Sequence, residues 1–150
     1  MKLEEELKMK QFESPHHRTL LNIMFTSSWL ADRMSAITKP YDISEQQYNV
    51  LRILRGQKGK PVNLMDIQDR MLHKTSNATR LVEKLRQKGL VERVLCEQNR
   101  RKVEISITKS GLGLLTDLDP ILSNKDTEMF KTLTNKEASL LGDLLDKLRG

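Results

Sequence analysis

At 150 residues the chain is long enough to bury one real core and short enough to need only one domain. Charged residues at 31%, aromatics at 4% and seven methionines suit an aliphatic, helix-rich fold and argue against a β-sandwich. A net charge of +6 favours a polyanionic partner, and a single cysteine excludes an intrachain disulfide framework and fits a reducing cytosol.

The first ten residues, MKLEEELKMK, lack the apolar core of a signal peptide. No apolar run approaches membrane-spanning length, so a cytoplasmic location is expected. Met1 to Glu13 reads as a frayed helix, an arm that orders against a partner subunit, or a mobile tail. Ser14-Pro15 is a helix start, a capping hydroxyl followed by proline at the first helical position. The helix is expected to run to about Thr38, with Leu20, Ile23, Met24, Ser27, Ala31 and Met34 along one side. Leu21, Phe25 and Trp29 widen that apolar arc, which then needs cover from more than one direction. Lys39-Pro40 ends the helix, because the residue before proline is pushed out of the helical region. Ser44 with Gln47 three residues on forms a capping box that opens a helix to about Gln57, with Tyr48, Leu51 and Leu54 inward. Pro61-Val62 offers a brief extra strand.

The central unit spans Asn63 to Thr108. Asn63 to Met71 is a short helix, followed by a turn and a second helix predicted over Thr75 to Lys88, with Thr75 or Ser76 as its cap. Ala78, Leu81, Val82 and Leu85 form its apolar stripe, while Ser76, Asn77, Arg80 and Lys84 face the other way with donors suited to bases and phosphates. Gly89 stops it. Two helices joined by a tight turn, the second basic outward, make a helix-turn-helix candidate. Leu90 to Leu95 and Lys102 to Thr108 are strand-like; Val103, Ile105 and Ile107 alternate with polar residues, giving a hairpin with one apolar face. Its polar tip is expected over Cys96 to Arg101. Basic residues cluster in this unit rather than at the ends. Thr108 and Thr134, the latter with Glu137 in a second capping box, start two further helices. The first contains Asp119-Pro120, where a kink is expected; the last carries Leu141, Leu144, Leu145 and Leu148 on one face.

The runs Gly89-Leu90-Val91-Glu92-Arg93, Asn99-Arg100-Arg101 and Ile107-Thr108-Lys109-Ser110-Gly111 resemble the winged helix-turn-helix signature of MarR-family transcriptional regulators. That pattern reads GLVxR, then DxR, then LTxxG, and the resemblance covers Ser44 to Arg149 well and the first helix loosely. One departure is Asn99, which stands where the family has an aspartate, so the brace on Arg101 weakens to a neutral hydrogen bond. The resemblance implies a mainly α fold with a small β-hairpin. Residues 14–38 and 109–149 are then dimerisation helices, and residues 44–108 the DNA-binding part. It implies a homodimeric repressor on a pseudo-palindromic double-stranded operator, relieved by a small aromatic effector.

The expected DNA contacts are Lys74, Thr75, Ser76, Asn77, Thr79, Arg80 and Lys84 on and before the second helix. On the wing they are Asn99, Arg100, Arg101 and Lys102. Met24, Phe25, Trp29 and Tyr48 are compatible with an effector pocket, although the same side chains serve a core or a dimer interface. Adjacent His16 and His17 make a poor metal pair, and His73 has no clustered ligand, so no metal is expected. Cys96, between Arg93 and Arg100, reads as inert, with redox sensing as the alternative. No catalytic constellation or cofactor motif is present, and the chain is not expected to be an enzyme. A competing reading from another class is a winged-helix interaction module whose basic face docks an acidic protein.

Overall fold

The structure, a computed structural model, describes residues 1–96 and 99–150; for Cys96, Asn99, Arg100, Arg101, Lys102, Asp126 and Thr127 it describes the backbone alone. Side-chain caps set the helix starts. Ser14, Ser44, Asn63, Asn77, Thr108 and Thr134 each accept a backbone N–H of the first turn that follows them. Those N–H groups have no partner within the helix, so an oxygen at the cap fixes where the helix begins.

A short helix, α1 (Leu3–Glu6), precedes α2 (Pro15–Thr38), and a 3-10 turn (Lys39–Tyr41) leads to α3 (Glu45–Gly56). The helix-turn-helix follows as α4 (Leu64–Arg70) and α5 (Ala78–Gln87). Then come the hairpin strands β1 (Val91–Cys96) and β2 (Asn99–Ile107), α6 (Lys109–Phe130) and α7 (Asn135–Arg149). The N-terminal segment is an arm rather than a free tail: Leu3 is buried, and Glu4 accepts from Arg18 Nε at 2.9 Å.

The core sits in the middle of the chain. Val50, Leu51 and Leu54 of α3 meet Ile67 and Met71 from the helix-turn-helix, Ala78, Val82 and Leu85 of α5, and Val91 and Ile105 of the hairpin. Leu115, Leu118 and Leu122 bring the first half of α6 into the same cluster. Burying each such leucine contributes roughly 1.5–3 kcal/mol.

The hairpin is antiparallel, with Val91 opposite Ile107 and Leu95 opposite Val103. Asn99 pairs with Cys96, so Cys96 lies within β1 and residues 99–101 within β2 rather than in the predicted tip, and the register shifts between Leu95 and Cys96. The extra strand predicted at Pro61-Val62 reduces to one bridge, Val62 to Ile105, with hydrogen bonds of 3.0 and 2.8 Å. Proline has no N–H, so pairing stops there.

Gly89 (φ 70°) ends α5 in a Schellman arrangement: Leu90 N–H donates to the Leu85 carbonyl at 3.0 Å and Gly89 N–H to that of Arg86 at 2.9 Å. Gly111 answers a different need. A Cβ there would lie 2.3 Å from the Leu90 carbonyl oxygen and 2.7 Å from Ile107 Cγ1, so only glycine lets α6 approach the hairpin base. Pro120 lies inside α6, which runs through it to Phe130 without a chain reversal.

The outer helices bury little. Thr38 is the buried residue of α2, and α7 has none among the described residues. Leu140, Leu141, Leu144 and Leu148 are 44–65% exposed, and Leu20 and Met24 of α2 are similarly open. No described helix is long and apolar enough to cross a membrane.

Candidate nucleic-acid interface

The turn between α4 and α5 decides what α5 presents. Gln68 braces it from both sides: its Nε2 donates to the Lys74 carbonyl at 2.7 Å, and its Oε1 accepts the Ala78 N–H at 3.3 Å. Ser76 N–H donates to the His73 carbonyl at 3.0 Å, closing a tight turn before the helix. Helix α5 therefore starts at Ala78 and not at Thr75, and its cap is Asn77, whose Oδ1 accepts the Arg80 N–H at 3.0 Å. Thr75 and Ser76 fall in the turn. Asn77 Oδ1 has one lone pair engaged in the cap, and its amide N–H groups remain donors for a partner.

Beyond the cap, Ala78, Val82 and Leu85 anchor one face of α5 while Thr79, Arg80 and Lys84 lie on the other. Arg80 and Lys84 have no acidic partner among the described residues. Arg86 is occupied, holding Glu83 at 2.8 Å, and that hydrogen bond lowers the Glu83 carboxyl below its ordinary value. Lys74 donates its ammonium to the Asp69 carbonyl, so it stiffens the turn. The wing stands beside this helix. Residues 99–102 have strand backbone, and the side chains of Asn99, Arg100, Arg101 and Lys102 lie outside the described residues, as does that of Cys96.

Ion pairs join α3 to α6 and the end of α5 to the turn before α3. Arg55 of α3 grips Asp119 of α6 with two hydrogen bonds, 2.7 and 3.0 Å, and Arg52 adds a longer contact at 3.5 Å. The hydrogen bond from Arg55 holds the Asp119 carboxyl below its ordinary value of 3.8. At the far end of α5, Lys88 pairs with Asp42 at 3.0 Å, tying the helix to the turn before α3; Asp42 sits there at φ 54°.

Clefts open on the surface among the described residues. One, of about 820 Å³, runs along the flank of α5 against the start of α3 and includes Lys39, Ser44, Gln46, Gln47, Arg80 and Lys84. Lys39, Gln46 and Gln47 carried no sequence signal as site residues. Two others meet at Trp29. A cleft of about 530 Å³ is lined by Phe25, Trp29, Leu30, Met129 and Leu133, and one of about 650 Å³ by Trp29, Arg33, Ile37 and Met129, with Arg33 4.2 Å over the indole. The four predicted effector residues do not converge. Phe25 and Trp29 share a cleft, whereas Met24 is 60% exposed and lines neither, and Tyr48 stands on α3 under Arg52. Phe25 and Trp29 are one helical turn apart on one face; Met24 is a step round the helix. Among the described residues, no group of three His, Cys, Asp or Glu side chains is placed to hold a metal.

A model of the MarR family matches residues 41–102, from the turn before α3 into β2. A MarR transcription factor from Planctomyces limnophilus is 30% identical in its solved structure, over 91% of this chain and 98% of its own, with a TM-score of 0.70. The HTH-type transcriptional regulator MhqR of Bacillus subtilis (strain 168) is 28% identical over 78% of this chain and 79% of its own length. An organohalide-sensing transcriptional regulator, RdhR, solved with 2,4-dichlorophenol bound, shares the fold at a TM-score of 0.81. Its identity is 17%, over 92% of this chain and 86% of that one, which speaks for the fold alone.

Proposed function

The chain belongs to the MarR family and is a DNA-binding transcriptional regulator rather than an enzyme; from that premise we propose that it is a cytoplasmic homodimeric repressor released by a small aromatic effector. The observation that carries the DNA half is the cationic face of α5 beside a hairpin wing. Thr79, Arg80 and Lys84 lie outward there, and neither cation has an acidic partner among the described residues. In this reading α5 enters the major groove, where donor and acceptor patterns distinguish all four base pairs. The wing follows the adjoining minor groove, whose negative potential attracts Arg101, Arg100 or Lys102. Ser76 and Asn77 contribute from the turn and cap, and Lys74 and Thr75 lie close to the backbone. Two copies then read two half-sites about one helical turn apart, which makes the operator pseudo-palindromic. Repression follows sterically, since a dimer seated across two turns excludes other proteins from the promoter.

The dimer is supported by the apolar surface left on α2 and α7, which a second copy of the same helices covers. The effector reading is supported by the Phe25–Trp29 cleft against α6 and α7, an apolar space of ligand size. The dichlorophenol bound by the RdhR relative is of matching chemistry. A ligand there alters how the outer helices pack, and with them the spacing of the two reading heads. The test is selection of bound sites from a random duplex library, with and without 2,4-dichlorophenol. The expected result is an enriched inverted repeat whose binding the phenol weakens. No enrichment overturns the operator reading, and enrichment indifferent to phenols and aromatic acids overturns the effector half.

A further inference from the structure

We infer that the cleft beside α5 is a second subsite for the phosphate backbone of DNA, centred on Lys39; the inference rests on the reading of α5 as the DNA-reading helix. The cleft has two walls, Arg80 and Lys84 on α5 and Lys39, Ser44 and Gln46 at the end of α2 and the start of α3. Four cations line it. Lys88 is already neutralised by Asp42, so Lys39, Arg80 and Lys84 remain without an acidic partner among the described residues. The start of α3, a helix of 12 residues, opens on the same space and adds the positive end of its dipole. The acid at that helix start, Glu45, turns to His73 Nε2 at 3.4 Å and does not line the cleft.

Gln47 adds a separate sign. It is 5% exposed and lines the cleft; its Oε1 accepts the Ser44 N–H at 3.0 Å, while its Nε2 donates to no described residue. The Gln47 amide N–H is thus a neutral donor beside the three cations, and phosphate oxygens are acceptors for it. The geometry favours DNA as their source. A helix lying in a major groove about 12 Å wide has a phosphate strand along each flank. One flank of α5 is this cleft. Lys39 therefore stands where that strand runs, and the contact positions the helix without reading sequence.

The test uses the full-length protein and its selected operator, with affinities measured from 50 to 200 mM salt. Lys39→Gln removes one contact per subunit, two per dimer, so the slope of log affinity against log salt falls by about 1.8. The deficit of the variant then shrinks about tenfold between the two salt concentrations, with base preference unchanged. Lys39→Arg restores affinity and slope, and Lys10→Gln, an equal charge change on the N-terminal arm, leaves both as they were. Calorimetry with inorganic triphosphate on the DNA-free protein separates the sources. A Lys39→Gln slope equal to that of the unsubstituted protein overturns the inference. So does saturable triphosphate binding that Lys39→Gln abolishes while the DNA slope stays intact, since the cleft then holds a free anion. Failure of the unsubstituted protein to bind duplex DNA overturns the regulator reading itself, a separate result.

Discussion

The reading lobe and the outer helices are built on opposite terms. Around Leu51, Ile67, Leu85 and Ile105 the lobe closes its own core, with helix, turn and hairpin all contributing. Helix α7 is as regularly leucine-bearing as α5 and as well capped, yet none of its described residues is fully buried within the chain. Periodicity alone thus tells which face is apolar. The cover for that face comes from tertiary structure in the lobe and is still missing on the outer helices. The lobe shares its core with the first half of α6, whereas the apolar faces of α7 and of the first half of α2 stay exposed.

The largest expected effect breaks the second half of that comparison. Leu144→Asp with Leu148→Asp places two charges on the α7 face and is expected to abolish the dimer, giving monomer or insoluble protein by light scattering. A well-folded monomer of the unsubstituted chain contradicts the comparison outright. Next, Leu85→Ala is expected to cost about 2–5 kcal/mol in denaturant unfolding, from reduced burial and the cavity left behind. Leu144→Ala sharpens the contrast: its cost should depend on protein concentration, because it acts through association.

Smaller effects probe the joints. Asn77→Ala removes the cap of α5 and is expected to cost about 1 kcal/mol of stability. Asp119→Asn loosens the clamp between α3 and α6. The pair is partly exposed, so the loss should stay below about 1 kcal/mol at neutral pH. Its pH dependence has a definite sign. The folded carboxyl is depressed below 3.8, so the stabilisation is complete above that value and vanishes as pH falls through the lower folded one. Unfolding midpoints of the unsubstituted and Asp119→Asn proteins should therefore converge in strong acid.

What the sequence made legible was local. The boxes Ser44–Gln47 and Thr134–Glu137 need only three residues of spacing, and both form. Gly89 and Gly111 fall in the family signature because one takes a positive φ and the other leaves no room for a Cβ. The start of α5 was not legible, since Thr75, Ser76 and Asn77 are all competent caps. The choice among them is made by Gln68, about ten residues upstream and folded back onto Lys74 and Ala78. The Arg55–Asp119 grip spans 64 residues, and no local pattern announces it. The same holds for the cleft at Lys39, which exists because Asp42 turns the chain back towards Lys88.

The central claim, that the outward face of α5 reads bases, is tested most directly by measuring Arg80→Ala and Lys84→Ala against the selected operator and each of its single-base variants. The account predicts that Arg80→Ala flattens preference at one position by about 1–3 kcal/mol, the value of one bidentate pairing with a base. Lys84→Ala should weaken every duplex alike and lower the salt slope by about one for each phosphate it no longer neutralises. If both substitutions reduce affinity uniformly and leave base preference untouched, α5 is not the reading helix.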